Sequence, residues 1–283
     1  MKNTTCGKNP KIAVTAALLA FGFSGVTAFA AGTASDTAGN YTGGAWSTTP
    51  PNNGTGFGAW GVNVQNNLGP PYAGTFLAGA GDTPIVDGSS SAWGVYANSA
   101  QGNTLPGVIF TRPFTAGLLS GSTSLFDQTF SFRLGSAGVG PGQGLLSATV
   151  GNAFLFEYNG LASGDSMFFG VDGATPASVP VTFTQLNAGL NVSLAVSGAL
   201  NSPTESYTFT VASLGNTALF TQSGTFDSSA FNTSQFQFTD QNTTGNGYFN
   251  SLNLTVESVP EPGSVAIFAM SGLGMLLAMR RKK

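Results

Sequence analysis

A two-residue alternation of large apolar and small polar side chains runs through most of the chain and leaves room for little besides sheet. Phe130, Phe132 and Leu134 alternate with Thr129, Ser131 and Arg133, and Phe154, Phe156 and Tyr158 alternate with Leu155 and Glu157. The period returns at Tyr207, Phe209 and Val211, at Phe236 and Phe238, and at Leu252, Leu254 and Val256. Successive side chains of a strand point to opposite faces, so each segment offers one apolar face to a core and one polar face to water. Further strands are predicted at 93–97, 108–114, 145–150, 167–171, 181–185, 192–196 and 218–222. Clusters of Gly, Asn, Asp, Pro and Ser, such as 138–144 and 198–203, lie between them and supply turns. Short strands roughly ten residues apart, with no soluble helical period, predict an all-β fold. The expected architecture is an antiparallel β-sandwich or jelly roll over residues 56–257.

Residues 31–55 read differently, rich in Gly, Ser, Thr and Pro, and are expected to form a flexible lead-in. Ala59-Trp60-Gly61-Val62 recurs as Ala92-Trp93-Gly94-Val95, but Phe126 stands where a third tryptophan would fall. The pair therefore reads as two similar strand ends, not a solenoid repeat. The abundance of Asn, Ser and Thr does not signal disorder, because 23 phenylalanines supply the apolar content that disordered chains lack.

Charge is distributed very unevenly. Three lysines precede residue 12 and four basic residues follow residue 279, which leaves Arg112 and Arg133 as the only cations between 31 and 259. Those two face eight Asp and three Glu, so this body carries −9 although the whole chain carries −3. Nucleic-acid binding needs clustered Lys and Arg, and that class is excluded. Anionic lipid surfaces repel such a body as well.

The usual catalytic constellations are excluded with equal economy. The chain has no histidine, and its one cysteine, Cys6, precedes the body, which also lacks lysine. Ser-His-Asp triads, histidine zinc sites, thiol nucleophiles and Ser-Lys dyads all fall away. Gly164-Asp165-Ser166 is similar to the nucleophile block of a lipase–esterase family, but a serine without a base is inert, and a polar turn is the other reading. Sandwich-fold glucanases carry Glu-x-Asp-x-x-Glu, from which Glu157-Tyr158-Asn159-Gly160 departs at the third position and lacks the final acid. A non-enzymatic protein is expected, with no catalytic and no cofactor-binding residue.

Two binding chemistries stay open. Asp82, Asp87, Asp165, Asp172, Asp227 and Asp240 lie in turn-like contexts, where carboxylates either hold calcium or cap Asx-turns. Trp46, Trp60 and Trp93 either stack on sugar rings or pack in the core. Sequons at Asn53, Asn191, Asn232, Asn242 and Asn253 carry little weight in a chain this rich in Asn, Ser and Thr.

The two ends read as export devices. Lys2, Lys8 and Lys11 precede an apolar run at 12–23 and the small-x-small site Ala28-Phe29-Ala30, so 1–30 is expected to be a signal helix cut after Ala30. At the other end Pro260-Glu261-Pro262 precedes 16 uncharged residues, 264–279, and then Arg280-Arg281-Lys282-Lys283. As a helix that run spans about 24 Å, enough for a transmembrane segment only with help from its flanks. The basic end would stay in the cytoplasm. Residues 260–283 resemble the PEP-CTERM sorting signal of exported Gram-negative bacterial proteins. The resemblance implies transient insertion in the inner membrane, processing near Pro260-Glu261-Pro262 by an exosortase-type protease, and an association with biofilm or exopolysaccharide. The expectation is an exported protein of the cell surface or extracellular matrix with polysaccharide as a partner. The alternatives are a lectin-like carbohydrate-binding module and a carboxylate-dependent glycosidase.

Overall fold

The computed structural model describes residues 32–41, 50–65, 73–98, 107–114, 125–138, 144–159, 166–171, 175–199, 204–227, 235–241 and 245–258. They form two antiparallel sheets packed face to face, as the alternation requires. In the larger sheet the order is β13 (Ala218–Phe226), β12 (Glu205–Ser213), β11 (Leu190–Ala199), β6 (Leu125–Ala137), β15 (Asn246–Ser258), β4 (Ser91–Ala97) and β3 (Ala73–Gly79). An eighth strand, β1 (Gly32–Asp36), pairs with the second half of β15, beyond the stretch that β4 covers. The smaller sheet runs β10 (Ala177–Val179), β9 (Ser166–Val171), β8 (Phe154–Asn159), β7 (Leu145–Val150), β14 (Gln235–Gln241), β5 (Gly107–Pro113) and β2 (Gly61–Gln65).

Phenylalanines of one parity fill the space between the sheets. Phe236 alone meets the rings of Phe57, Phe114, Phe130, Phe132 and Phe238. Phe169 of β9 stacks on Phe209 of β12 with centroids 3.9 Å apart. The two halves of the Ala-Trp-Gly-Val pair meet here: Trp60, at the entrance to β2, stands edge-on to Trp93 of β4 at 5.1 Å. On the opposite face of β4, Gly94 leaves room for Phe76, since a Cβ there would fall 2.5 Å from the Phe76 ring across the β3–β4 pair.

The structure corrects two expectations. Residues 32–36, expected in a flexible lead-in, form β1, and Ala38–Asn40 form a single 3-10 turn docked on the core. Backbone pairing and a buried side chain hold this stretch in place of apolar periodicity. Residues 181–185, expected as a strand, instead open a short helix, α1 (Phe183–Ala188). Thr182 accepts from the Gln185 backbone amide while the Gln185 side chain accepts from the Thr182 amide, a reciprocal cap that fixes the helix start. The helix stops at Gly189, whose φ of 87° suits glycine and whose Cβ would collide with Ile85. Among the described residues no helix is long and apolar enough to cross a membrane. The expected signal helix at 1–30 and transmembrane helix at 264–279 lie outside the described residues.

Candidate functional site

The most polar part of the interior is built around an ion pair that ties the sheets together. Asp36 ends β1, Arg112 lies on β5, and both side chains are fully buried with Arg112 Nη2 2.7 Å from Asp36 Oδ2. Tyr41 donates to the same carboxylate oxygen at 2.7 Å, Trp60 Nε1 donates to the Tyr41 hydroxyl at 2.9 Å, and Asn40 donates to Asp36 Oδ1. The guanidinium also donates to the Gly58 carbonyl and lies over the rings of Trp60 and Phe57, 4.9 and 5.4 Å from their centroids. Burial drives the Arg112 pKa downward, and the charge of Asp36 opposes that. Burial, then the hydrogen bond to Asp36, pushes the Tyr41 hydroxyl well above its ordinary value. The carboxylate therefore has cationic and neutral donors around it and little access to water. This arrangement links β1 to β5 across the interior, with both charged side chains closed off from solvent.

A second polar knot lies at the irregularity in β15. Asn250 donates to the carbonyls of Ile85 and Ser91 and accepts from the amides of Ala38 and Ser251, all within hydrogen-bond distance. Asp87 then holds the 3-10 turn from outside, accepting from Thr37 Oγ1, the Gly39 amide and Ser89. Its burial raises the carboxyl pKa, but the hydrogen bonds from Ser89, Thr37 and Gly39 outweigh that and set it below the ordinary value.

The outer face of the larger sheet carries rows of small, mostly polar side chains from β1 to β13. The strand register lines up Ser35, Asn253, Ser131, Ser193, Thr210 and Thr221 in one row across β1, β15, β6, β11, β12 and β13. Thr33, Thr255, Thr129, Ala195, Thr208 and Ser223 form the next row. Every one of these side chains is exposed or half-exposed. Strand spacing of about 4.8 Å and a two-residue rise of about 6.8 Å make the rows a grid of small hydrogen-bonding groups. Neighbours already pair across strands, as Thr208 does with Ser223 at 3.0 Å. At one end of this face the register sets Glu257 opposite Asp127, two acids on adjacent strands.

The residues singled out from sequence fare differently. Trp93 is fully buried and Trp60 is 6% exposed, so neither offers a face to a sugar; Trp46 lies outside the described residues. Among the calcium candidates, Asp87 caps the turn just described, and Asp82 accepts from the Gly79 amide. Asp240 lies inside β14 with its side chain buried, not in a turn, and Asp227 is exposed just beyond β13. Asp165 and Asp172 lie outside the described residues. Among the described residues no three His, Cys, Asp or Glu side chains gather to hold a metal. Glu157 is half-buried on β8, accepts from Asn159, and faces Ser147 and Phe168 on the neighbouring strands. A cleft of about 460 Å³ between β8, β9, β10 and the start of α1 is lined mainly by Tyr158, Met167, Val179, Val181 and Phe183, with Ser178 and Thr182 at its polar side. The Asp36–Arg112 pair and the hydroxyl grid were not foreseen from sequence. The export residues Ala28, Ala30, Pro260, Glu261, Pro262, Arg280, Arg281, Lys282 and Lys283 lie outside the described residues.

No curated protein matches the chain. Among solved structures it is similar to the lectin from Bauhinia forficata in complex with GalNAc, at 11% identity and a TM-score of 0.39, over 71% of this chain and 100% of the lectin. It is also similar to lectin I-B4 from Griffonia simplicifolia at 13% identity and 0.38, over 64% of this chain and 92% of that one. A GH131 β-glucanase catalytic domain from Podospora anserina scores 0.43 at 11% identity, over 64% and 78% respectively. Likeness at this level carries no functional argument, and the sandwich stands on its own strand order. The decisive match is at the C-terminus, where residues 258–283 fit the PEP-CTERM protein-sorting motif. The triplet Pro260-Glu261-Pro262, the apolar run and the basic end all fall inside that segment, and the chain therefore carries a PEP-CTERM sorting signal.

Proposed function

We propose that this chain is an exported, non-enzymatic protein of the cell surface or extracellular matrix. It is held transiently in the inner membrane through 264–279 and released by an exosortase-type protease acting near Pro260-Glu261-Pro262. The observation that carries this reading is the sorting motif at 258–283. A body whose buried polar groups link the two sheets, and whose outer face carries rows of hydroxyl side chains, suits a hydrated polysaccharide setting. Intact-mass measurement of the protein recovered from culture medium tests the reading. A product lacking 1–30 and 264–283 is expected, and replacing Pro260-Glu261-Pro262 with alanines should hold the protein at the inner membrane. Recovery of an intact C-terminus outside the cell would overturn it.

One observation favours a second reading, carbohydrate binding through the hydroxyl grid. Its rows offer donors and acceptors at regular intervals without charge, while the −9 body disfavours acidic glycans, so a neutral polysaccharide is the ligand class. Pull-down on neutral polysaccharides should then weaken with Ser193→Lys and stay unchanged in chelator. Binding that is insensitive to Ser193→Lys would sink this second reading.

A further inference from the structure

The four outermost strands of the two sheets differ in how their edges are protected. β10 has three residues and runs into Pro180, β2 has five, and β3 has seven. β13 has nine residues, Ala-Leu-Phe-Thr-Gln-Ser-Gly-Thr-Phe, with no charge and no proline, and its one strand partner among the described residues is β12. Half of its backbone N–H and C=O groups point away from β12. Soluble proteins ordinarily guard such an edge with lysine, proline or a bulge near its middle. The body has no lysine at all, and the register shift between β12 and β13 falls at the Val211/Ala212 end, leaving the run from Thr221 to Phe226 regular.

We propose that β13 pairs antiparallel with β13 of a second copy of this chain. The strand is self-complementary about Gln222. With Gln222 on the two-fold axis, Phe220 faces Gly224, so a large side chain meets a bare backbone along the inner face. On the outer face Thr221 meets Ser223, while Leu219, at the register shift, packs with Phe220 against the core. Phe220 is half-buried and Gly224 exposed in the single chain, so the pairing covers a ring edge and a bare backbone together. The chain already uses such an aromatic-over-glycine pair, with Phe76 opposite Gly94. An antiparallel pair places its two-fold axis perpendicular to the sheet, so both hydroxyl grids face the same way. The dimer would double that surface. Such an isologous contact closes on itself and needs no further copy.

The test is sedimentation velocity on the purified full chain, in a detergent density-matched to the solvent so that protein mass alone is read. A dimer is expected at micromolar concentration. Ser223→Lys puts two ammonium groups on the outer face about 7–8 Å apart across the axis, and should weaken association at least tenfold. Ser193→Lys, two strands inside the same face, should leave it intact. A wild-type monomer at every concentration would overturn the proposal, as would a Ser223→Lys dimer as tight as wild type. Equal loss in both variants would assign the contact to the face and also overturn it. Amide exchange on the unsubstituted chain gives an independent readout: protection of 218–226 should rise with concentration, and no change would again overturn the pairing.

Discussion

Arg112 shows how one residue type in an unlikely place organises a region. An arginine inside the apolar run Val108-Ile109-Phe110-Thr111-Arg112 needs a carboxylate when its strand is buried, and Asp36 on the opposite sheet supplies it. Removing one partner of a buried pair leaves the other uncompensated and typically costs about 3–5 kcal/mol. Arg112→Met should therefore lower the urea midpoint steeply, and a loss under about 1 kcal/mol would show that water reaches Asp36. The same cluster sets an alkaline limit. The Tyr41 hydroxyl keeps its proton in the folded protein, because of burial and then the bond to Asp36, whereas the unfolded chain ionises near its ordinary value of about 10. The stabilisation is thus complete below about pH 10 and is lost as pH rises beyond it. Unfolding monitored from pH 8 to 11 should show that decline, and Tyr41→Phe should flatten it in part, since burial also raises Tyr248.

At the level of strands and helices, local signals of different strength compete. Thr182 caps α1 and its loss should cost about 1 kcal/mol. Thr182→Ala measured by denaturant titration checks this, with no change implying that the helix is held by Leu186 and Phe183 alone. The strands from β4 onward, except the three-residue β10, were legible because each carries apolar residues of one parity, whereas Ala177-Ser178-Val179 offers too few to show a period. β1 was not, since its core-facing positions are Ala34 and Asp36, and a buried acid looks like a turn residue until its arginine is known. β2 and β3 were hidden similarly by Gly, Asn and Thr. α1 was misread because Val181, Phe183 and Gln185 mimic alternation, although Thr182-x-x-Gln185 followed by Gly189 was the available signal for a capped helix. Of the sites, the sorting signal is a linear motif and could be read directly. The hydroxyl grid depends on which strands are neighbours, and six strands from across the chain meet in it only through the topology.

For the molecule as a whole, long-range pairing dominates. β15 lies between β6 and β4 and also carries β1, so the larger sheet has its final strand near its centre. Truncation after residue 245 should therefore yield no cooperative unfolding transition, while truncation after 258 should retain one. Circular dichroism melts of the two products check this. A cooperative melt from the shorter chain would mean that the remaining strands close on their own. Because so many contacts join residues far apart in sequence, folding is expected in the slow range typical of sandwiches.

β15 ends at Ser258, and the sorting motif begins at the same residue. On the proposed export route, a chain threaded from its N-terminus would deliver this strand last, immediately ahead of the segment proposed to stop in the bilayer. Assembly of the body would then wait for that arrest. With the strand zipped in, only a few residues of sequence would separate finished sheet from the Pro260-Glu261-Pro262 triplet, so a protease acting near it would have to work almost flush against the folded body.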